Sequence, residues 1–144
     1  GRIDVIATDH APHTREEKNQ VYTKAPSGGP LVQHALPAMM EFVRDGKMEI
    51  TTLVEKMCHN PALLFDIEQR GFIREGYYAD LVLLDPSRPW RVKEDNILAK
   101  CGWSPFEDTT FRARISHTLV NGEVVYENGR VLDRTPGKRL SFDR

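Results

Sequence analysis

The stretch Ile3-Asp4-Val5-Ile6-Ala7-Thr8-Asp9-His10-Ala11-Pro12-His13 begins as a short, β-branched and mostly apolar run and ends in polar side chains. Such a run predicts a strand buried on both faces of a parallel sheet. Pro12 offers no backbone N–H to a ladder, so the strand is expected to stop near Thr8 or Asp9. One carboxylate and two imidazoles then occupy the turn at a strand's carboxyl end, where α/β proteins gather ligands and catalytic groups. An ordinary polar turn uses the same residues, with Asp bonding its own backbone. The pattern by itself leaves both readings open.

Outward from that turn, residues 14–30 are polar and close on Ala25-Pro26-Ser27-Gly28-Gly29-Pro30. The charged start predicts a short helical turn and the Pro/Gly cluster a loop. A connection of this length is unusual unless it binds something or closes over a site. Gly28 and Gly29 would let the backbone approach a ligand closely. Leu31, Ala35, Ala38, Met39, Phe42 and Val43 recur at helical intervals up to Arg44, with Pro37 delaying or kinking the start. Asp45-Gly46 ends that helix. His34 reads as a satisfied helix histidine rather than a metal ligand.

Thr52 and Glu55 have capping-box spacing and predict the start of a second helix running to Cys58 or His59. Asn60 and Pro61 suit an N-cap and first position of a further helix carrying Leu63, Leu64 and Phe65 inward. His59, at a helix end, is read as structural. From Ile67 the period changes. Ala79 to Asp85 is a short apolar strand with Asp80 as a hydrogen-bonding group at its start. Asn121-Gly122 and Asn128-Gly129 are hairpin turns between β-rich runs.

The chain has 144 residues, 40% hydrophobic and 28% charged, with a formal net charge of −1. That balance gives no basic excess for nucleic acid, and no apolar run reaches the roughly 20 residues of a membrane span. Cys58 and Cys101 show no spacing of a disulfide framework or metal knuckle. Both thiols are expected to pack as small apolar groups in a reducing, cytoplasmic compartment. A buried-type strand needs neighbours that this segment does not supply, and the chain has no initial Met, so it is expected to be a carboxyl-terminal fragment of a larger enzyme, or one piece of a cleaved one.

Ile6 to His13, followed by Glu16-Glu17-Lys18 and Lys24-Ala25-Pro26-Ser27-Gly28, resembles dihydroorotase, a family of the metal-dependent amidohydrolase superfamily. Lys100-Cys101-Gly102-Trp103-Ser104-Pro105-Phe106 resembles the same family. Asn60-Pro61-Ala62, Gly76, Ala79 to Asp85 and Leu119 to Gly122 resemble the superfamily's exit from the barrel. The implied fold class is α/β: the carboxyl-terminal part of a (β/α)8 barrel, followed by part of a small β-sandwich. Residues 1–66 would hold the last barrel strand, active-site loop and terminal helices, and residues 67–144 the β-rich part of the sandwich. Asp66 stands where relatives often carry Gly, which bears on a helix end.

The resemblance further implies reversible hydrolysis of dihydroorotate to carbamoyl-L-aspartate. Asp9 would be both metal ligand and general acid/base. His13 would contact the substrate carboxylate, Ser27 and Gly28 the ring, and His10 would support the turn. Zinc, binuclear in the complete enzyme, is the implied cofactor, with the remaining ligands upstream. The implied partners are the small-molecule substrate, the missing amino-terminal part and further copies in a homo-oligomer. This chain alone would be inactive. Allantoinase or hydantoinase chemistry, and a non-catalytic amidohydrolase-like scaffold, stand as alternatives.

Overall fold

A computed structural model describes residues 2–143. Helices occupy the first half and strands the second. Helix α1 spans Arg15–Lys18, α2 Ala35–Arg44, α3 Ile50–Val54 and α4 Asn60–Leu64, with a π-helical turn Glu55–His59 joining the last two. The strands are β1 Leu81–Asp85, β2 Trp90–Arg91, β3 Thr110–Phe111, β4 Arg114–Val120, β5 Glu123–Glu127 and β6 Arg130–Val131. A four-stranded antiparallel sheet runs β1-β4-β5-β6, and β2 pairs with β3 separately. Asn121 and Gly122, then Asn128 and Gly129, adopt the paired positive φ values that tight hairpins of primed type require. Their sequence-based placement holds.

The two halves share a core. Met40 of α2 and Leu53 of α3 pack with Ala113, just before β4, and Ile6, Met39, Val43, Met57 and Leu84 surround them. A second cluster is aromatic, with His34 flanked by Trp90, Phe106 and Phe111. Burying a side chain such as Phe111 contributes about 1.5–3 kcal/mol. Arg112 adds a polar clamp. Its backbone N–H and Nε bond the Glu41 carboxylate, and Nη2 reaches Asp45 Oδ1 at 2.5 Å. The Arg112 guanidinium, with Lys47 beside it, holds the Asp45 carboxyl below its ordinary range, and the Arg112 pKa is raised in turn.

Several expectations need correction. The run Ile3–Thr8 joins no strand ladder among the described residues, and Ile3 is exposed, because no neighbouring strand lies alongside it. Helix α3 starts at Ile50 after an extended Glu49, so Thr52 lies inside the helix and makes no capping box with Glu55. Asn60 is no N-cap either. It has helical dihedrals, and its N–H donates to Glu55 O, five residues back. The helix runs through the π turn into Pro61 without a break, and because Pro61 has no N–H, the Lys56 carbonyl five residues before it is left without a helical donor. Leu63, Leu64 and Phe65 point outward, all more than half exposed. Cys58 is exposed instead of packed, while Cys101 is half-buried, and both are free thiols.

The π turn also explains how an unpaired run is held. Lys56 O would bond Asn60 N–H in an α-helix; here it accepts the Ile6 N–H at 3.0 Å. Asn60 Nδ2 bonds Asp4 O at 2.7 Å, and Lys56 Nζ bonds Ile3 O. These three bonds from the helix fix the segment that leads into Asp9. At the far end, residues 141–143 return antiparallel beside residues 66–68, through Glu68 N–H to Ser141 O and Asp143 N–H to Asp66 O. Asp66 has φ +53 just beyond α4, the left-handed position that favours Gly. Asp80 is structural as expected: Oδ1 accepts Asn121 N–H at 2.8 Å, and Oδ2 pairs with Arg70. Of the basic tail residues, Arg134 and Arg139 are exposed, Lys138 lies over the Tyr78 ring, and Arg144 falls outside the described residues.

Candidate active site

Asp9 ends the unpaired run in a left-handed conformation, φ +46, which is uncommon for a residue with a Cβ. Asn and Asp are the residues with side chains that visit it most readily, and strained backbone of this kind concentrates at functional sites. The Asp9 side chain is exposed. The chain then turns against the loop. His10 forms a parallel bridge with Gly29, and Ala11 N–H donates to Gly29 O at 3.1 Å. His10 Nδ1 accepts the Val32 N–H at 3.2 Å, which leaves the proton of neutral His10 on Nε2. His10 therefore supports the turn by tying it to the entry of α2.

Gly28 faces this turn with φ +91, and a Cβ there would lie 2.5 Å from the Ala11 Cβ. The close approach that sequence reasoning reserved for a ligand is thus made to the protein itself. Gly29 is buried, with the Trp103 ring 3.7 Å from where its Cβ would be, so it presents no open backbone to a ligand. Ser27 and Gly28 remain exposed beside the turn. Lys18 closes the loop on itself, Nζ donating to Pro26 O at 2.6 Å and Gly28 O at 3.0 Å. Thr14 and Glu17 form the capping box that starts α1, and the loop tip at Val21 and Tyr22 is exposed.

His13 is half-buried, with Nδ1 3.6 Å from Glu17 Oε2. Its carbonyl accepts the Trp103 indole N–H at 2.7 Å. Arg15 Nη2 reaches Glu107 Oε1 at 2.5 Å, and the same oxygen accepts the Ser104 N–H at 3.3 Å. Residues 103–107 therefore buttress the turn from outside. The sequence reading missed Trp103, Lys18, Arg15 and Glu107; the signal available for Trp103 was its place in the Gly102-Trp103-Ser104-Pro105 segment.

The other histidines lie away from this assembly. His34 is buried, with Nδ1 bonded to Ser104 Oγ at 3.1 Å. Among the described residues its Nε2 has no partner, so the expectation of a satisfied histidine holds for one nitrogen only. Burial pushes its pKa down. His59 stacks on Phe72 at 4.3 Å, a packing role as expected. Among the described residues no three His, Cys, Asp or Glu side chains cluster closely enough to hold a metal ion. Asp9 fits such an ion as a single oxygen donor.

An exposed carboxylate, a histidine turn and a glycine loop locked to it thus lie together ahead of the hairpin sheet. The amidohydrolase family profile matches residues 18–126, and the chain belongs to that family. Within it, the chain is similar to dihydroorotases: 34% identical to that of Pyrococcus furiosus over 96% of this chain, and 39% to that of Clostridium acetobutylicum over 88%. It is 41% identical to that of Halobacterium salinarum over 91%. The chain spans about a third of the length of these relatives: 32%, 30% and 31%. Among solved structures, L-hydantoinase from Arthrobacter aurescens has a TM-score of 0.85 at 32% identity, covering 93% of this chain and 31% of that one. D-hydantoinase from Thermus sp. has a TM-score of 0.85 at 26% identity, covering 93% and 30%. The fold is accordingly part of an amidohydrolase (β/α)8 barrel with part of its small β-sandwich.

Proposed function

We propose that this chain forms part of a dihydroorotase, which interconverts dihydroorotate and carbamoyl-L-aspartate. The observation that carries the proposal is the Asp9–His13 turn, held by backbone bonds against the Gly28–Gly29 loop. It presents one carboxylate, one half-buried imidazole and exposed backbone on a common assembly. Similarity to dihydroorotases over about nine-tenths of the chain supports the choice of substrate.

Opening a cyclic amide needs a nucleophile deprotonated near neutral pH and a proton for the departing nitrogen. Zinc, when bound, supplies a Lewis acid and water acidified to a pKa of about 7. Asp9 would be one ligand, with the others from sequence that the longer relatives carry. At the end of a run pinned to the helix, the Asp9 carboxylate would take the nucleophile's proton and return it to the ring nitrogen. His13 would donate a hydrogen bond to the substrate carboxylate, more strongly when protonated. Backbone groups at Ser27 and Gly28 would meet the ring. No helix among the described residues is long and apolar enough to cross a membrane, in keeping with a cytoplasmic enzyme; assembly as a homo-oligomer completes the proposal.

A hydantoinase is the second reading, favoured by the L-hydantoinase structure at 32% identity. Against it stands His13, a second histidine that resembles the dihydroorotase turn. Steady-state assay of the full-length, metal-loaded protein on dihydroorotate, carbamoyl-L-aspartate and 5-substituted hydantoins decides between them. Turnover of dihydroorotate at least about tenfold more efficient than of any hydantoin is expected. The reverse order would overturn the assignment.

A further inference from the structure

We infer that Trp103 is a positioning residue for substrate recognition, acting through the backbone of His13; this rests on the dihydroorotase reading above. The indole reaches from the connection between β2 and β3 across to the turn, ninety positions earlier in the sequence. There Nε1–H donates to His13 O at 2.7 Å. The edge of the same ring lies against buried Gly29, 3.7 Å from the position of its Cβ. One side chain thus touches both strands of the turn-and-loop assembly, the half that carries His13 and the half that carries Ser27 and Gly28.

The indole is itself firmly mounted. The next residue, Ser104, is buried, and its Oγ accepts Phe106 N–H and bonds buried His34. Cys101 Sγ contacts the Trp103 carbonyl at 3.8 Å. Glu107 receives Arg15 from α1, so the turn is gripped at His13 and again two residues later. A peptide carbonyl fixed by a neutral hydrogen bond fixes its own Cα, and hence the origin of the imidazole. Groups that bind substrate need placement within about 0.5 Å. Nothing else described bonds the His13 carbonyl, whereas the imidazole is constrained only by a 3.6 Å approach to exposed Glu17. Trp103 therefore sets where His13 meets the substrate carboxylate, and touches no substrate itself.

The test is a double-mutant cycle in the full-length enzyme, using Trp103→Phe and His13→Ala with dihydroorotate. Trp103→Phe keeps most of the ring and removes the N–H donor. It should raise KM about tenfold, the effect of losing one hydrogen bond, with kcat changed less than about threefold. If Trp103 acts through His13, adding Trp103→Phe to His13→Ala raises KM no further. A merely structural tryptophan would give additive effects. Additivity, or an unchanged KM in a folded Trp103→Phe enzyme whose His13→Ala counterpart is impaired, overturns the inference alone. An unchanged KM in His13→Ala overturns the substrate assignment on which it rests. Should Trp103→Phe fail to fold, indole N–H exchange in the unaltered enzyme gives the answer. Slow exchange of the Trp103 proton that shifts when dihydroorotate is added supports the inference, and rapid exchange refutes it.

Discussion

Replacing Gly28 with Ala probes whether the loop is locked to the Asp9–His13 turn. Two costs arise together. A side chain at φ +91 meets left-handed strain of about 1–2 kcal/mol. The new Cβ would also sit 2.5 Å from the Ala11 Cβ, far inside contact distance, and relieving such overpacking costs about 1–3 kcal/mol. Alanine stiffens the unfolded chain and returns about 0.4–1 kcal/mol. The net is about 2–3 kcal/mol against the closed loop, or roughly a hundredfold in its closed population. In the full-length enzyme, Gly28→Ala should expose the loop tip near Tyr22 to protease and raise KM for dihydroorotate by ten- to a hundredfold, on the order of that shift. Adding Ala11→Gly removes the clash but leaves the dihedral strain, so about half the loss should return. Wild-type KM and protease protection in Gly28→Ala would refute the reasoning, as would a failure of Ala11→Gly to restore anything.

Asp9→Asn keeps the side chain's shape and removes the base, so kcat should fall at least about a hundredfold while metal analysis and melting change little. A normal kcat in folded, metal-loaded enzyme would end that assignment. The 144-residue chain by itself should bind no stoichiometric zinc and turn over no dihydroorotate, checked by metal analysis and assay, because one carboxylate cannot replace three protein ligands. His34 has a lowered pKa when folded, so the unfolded chain takes up its proton first. Stability is therefore lost as pH falls below about 6.5 and stops falling below the folded value, and urea midpoints should show a flatter acid limb in His34→Phe. Asp45 has the opposite signature: its stabilising effect is present above the ordinary Asp pKa and is lost as pH falls through the folded value. Arg112→Met should weaken this pH dependence in the melting curve, leaving the smaller part due to Lys47, and high salt should mute it.

Features that depend on a single local dihedral were legible in the sequence. Asn121-Gly122, Asn128-Gly129 and Gly46 each announce a positive φ in the residue itself, and the structure has it. The turn after Asp9 was legible in its residues too, since Pro12 fixes its own φ, although the strand expected before it did not form. What was illegible depended on backbone geometry or partners that no single residue announces. The spacing of Thr52 and Glu55 satisfies a capping pattern, yet extended Glu49 ends the preceding loop and moves the helix start. Asn60-Pro61 looks like a helix start because a π turn, the other way to accommodate Pro61, leaves no local mark. His34 reads as one more polar residue on a helix; its unpaired nitrogen follows from three aromatic rings supplied by later segments. Trp103 could be tied to a family by its neighbours, but not to the His13 carbonyl.

The wide turn at Glu55–His59 also sets a rotational phase. Nine positions separate Leu53 from Ala62, and an unbroken helix of 3.6 residues per turn would put them about 180° apart, on opposite faces. With one residue absorbed by the π turn, the separation drops to about 80°. Leu53 can then enter the shared core while Ala62, also buried, backs onto Gly71, whose own Cβ would come within 2.5 Å of it. Rewinding these same residues as an uninterrupted α-helix would swing everything beyond the turn by about 100° and return the Lys56 carbonyl to the Asn60 N–H. The Ile6 N–H would lose its acceptor, and the segment ending at Asp9 would lose its register. The angular setting of a helix turn that never touches the candidate active site thus governs where its aspartate stands.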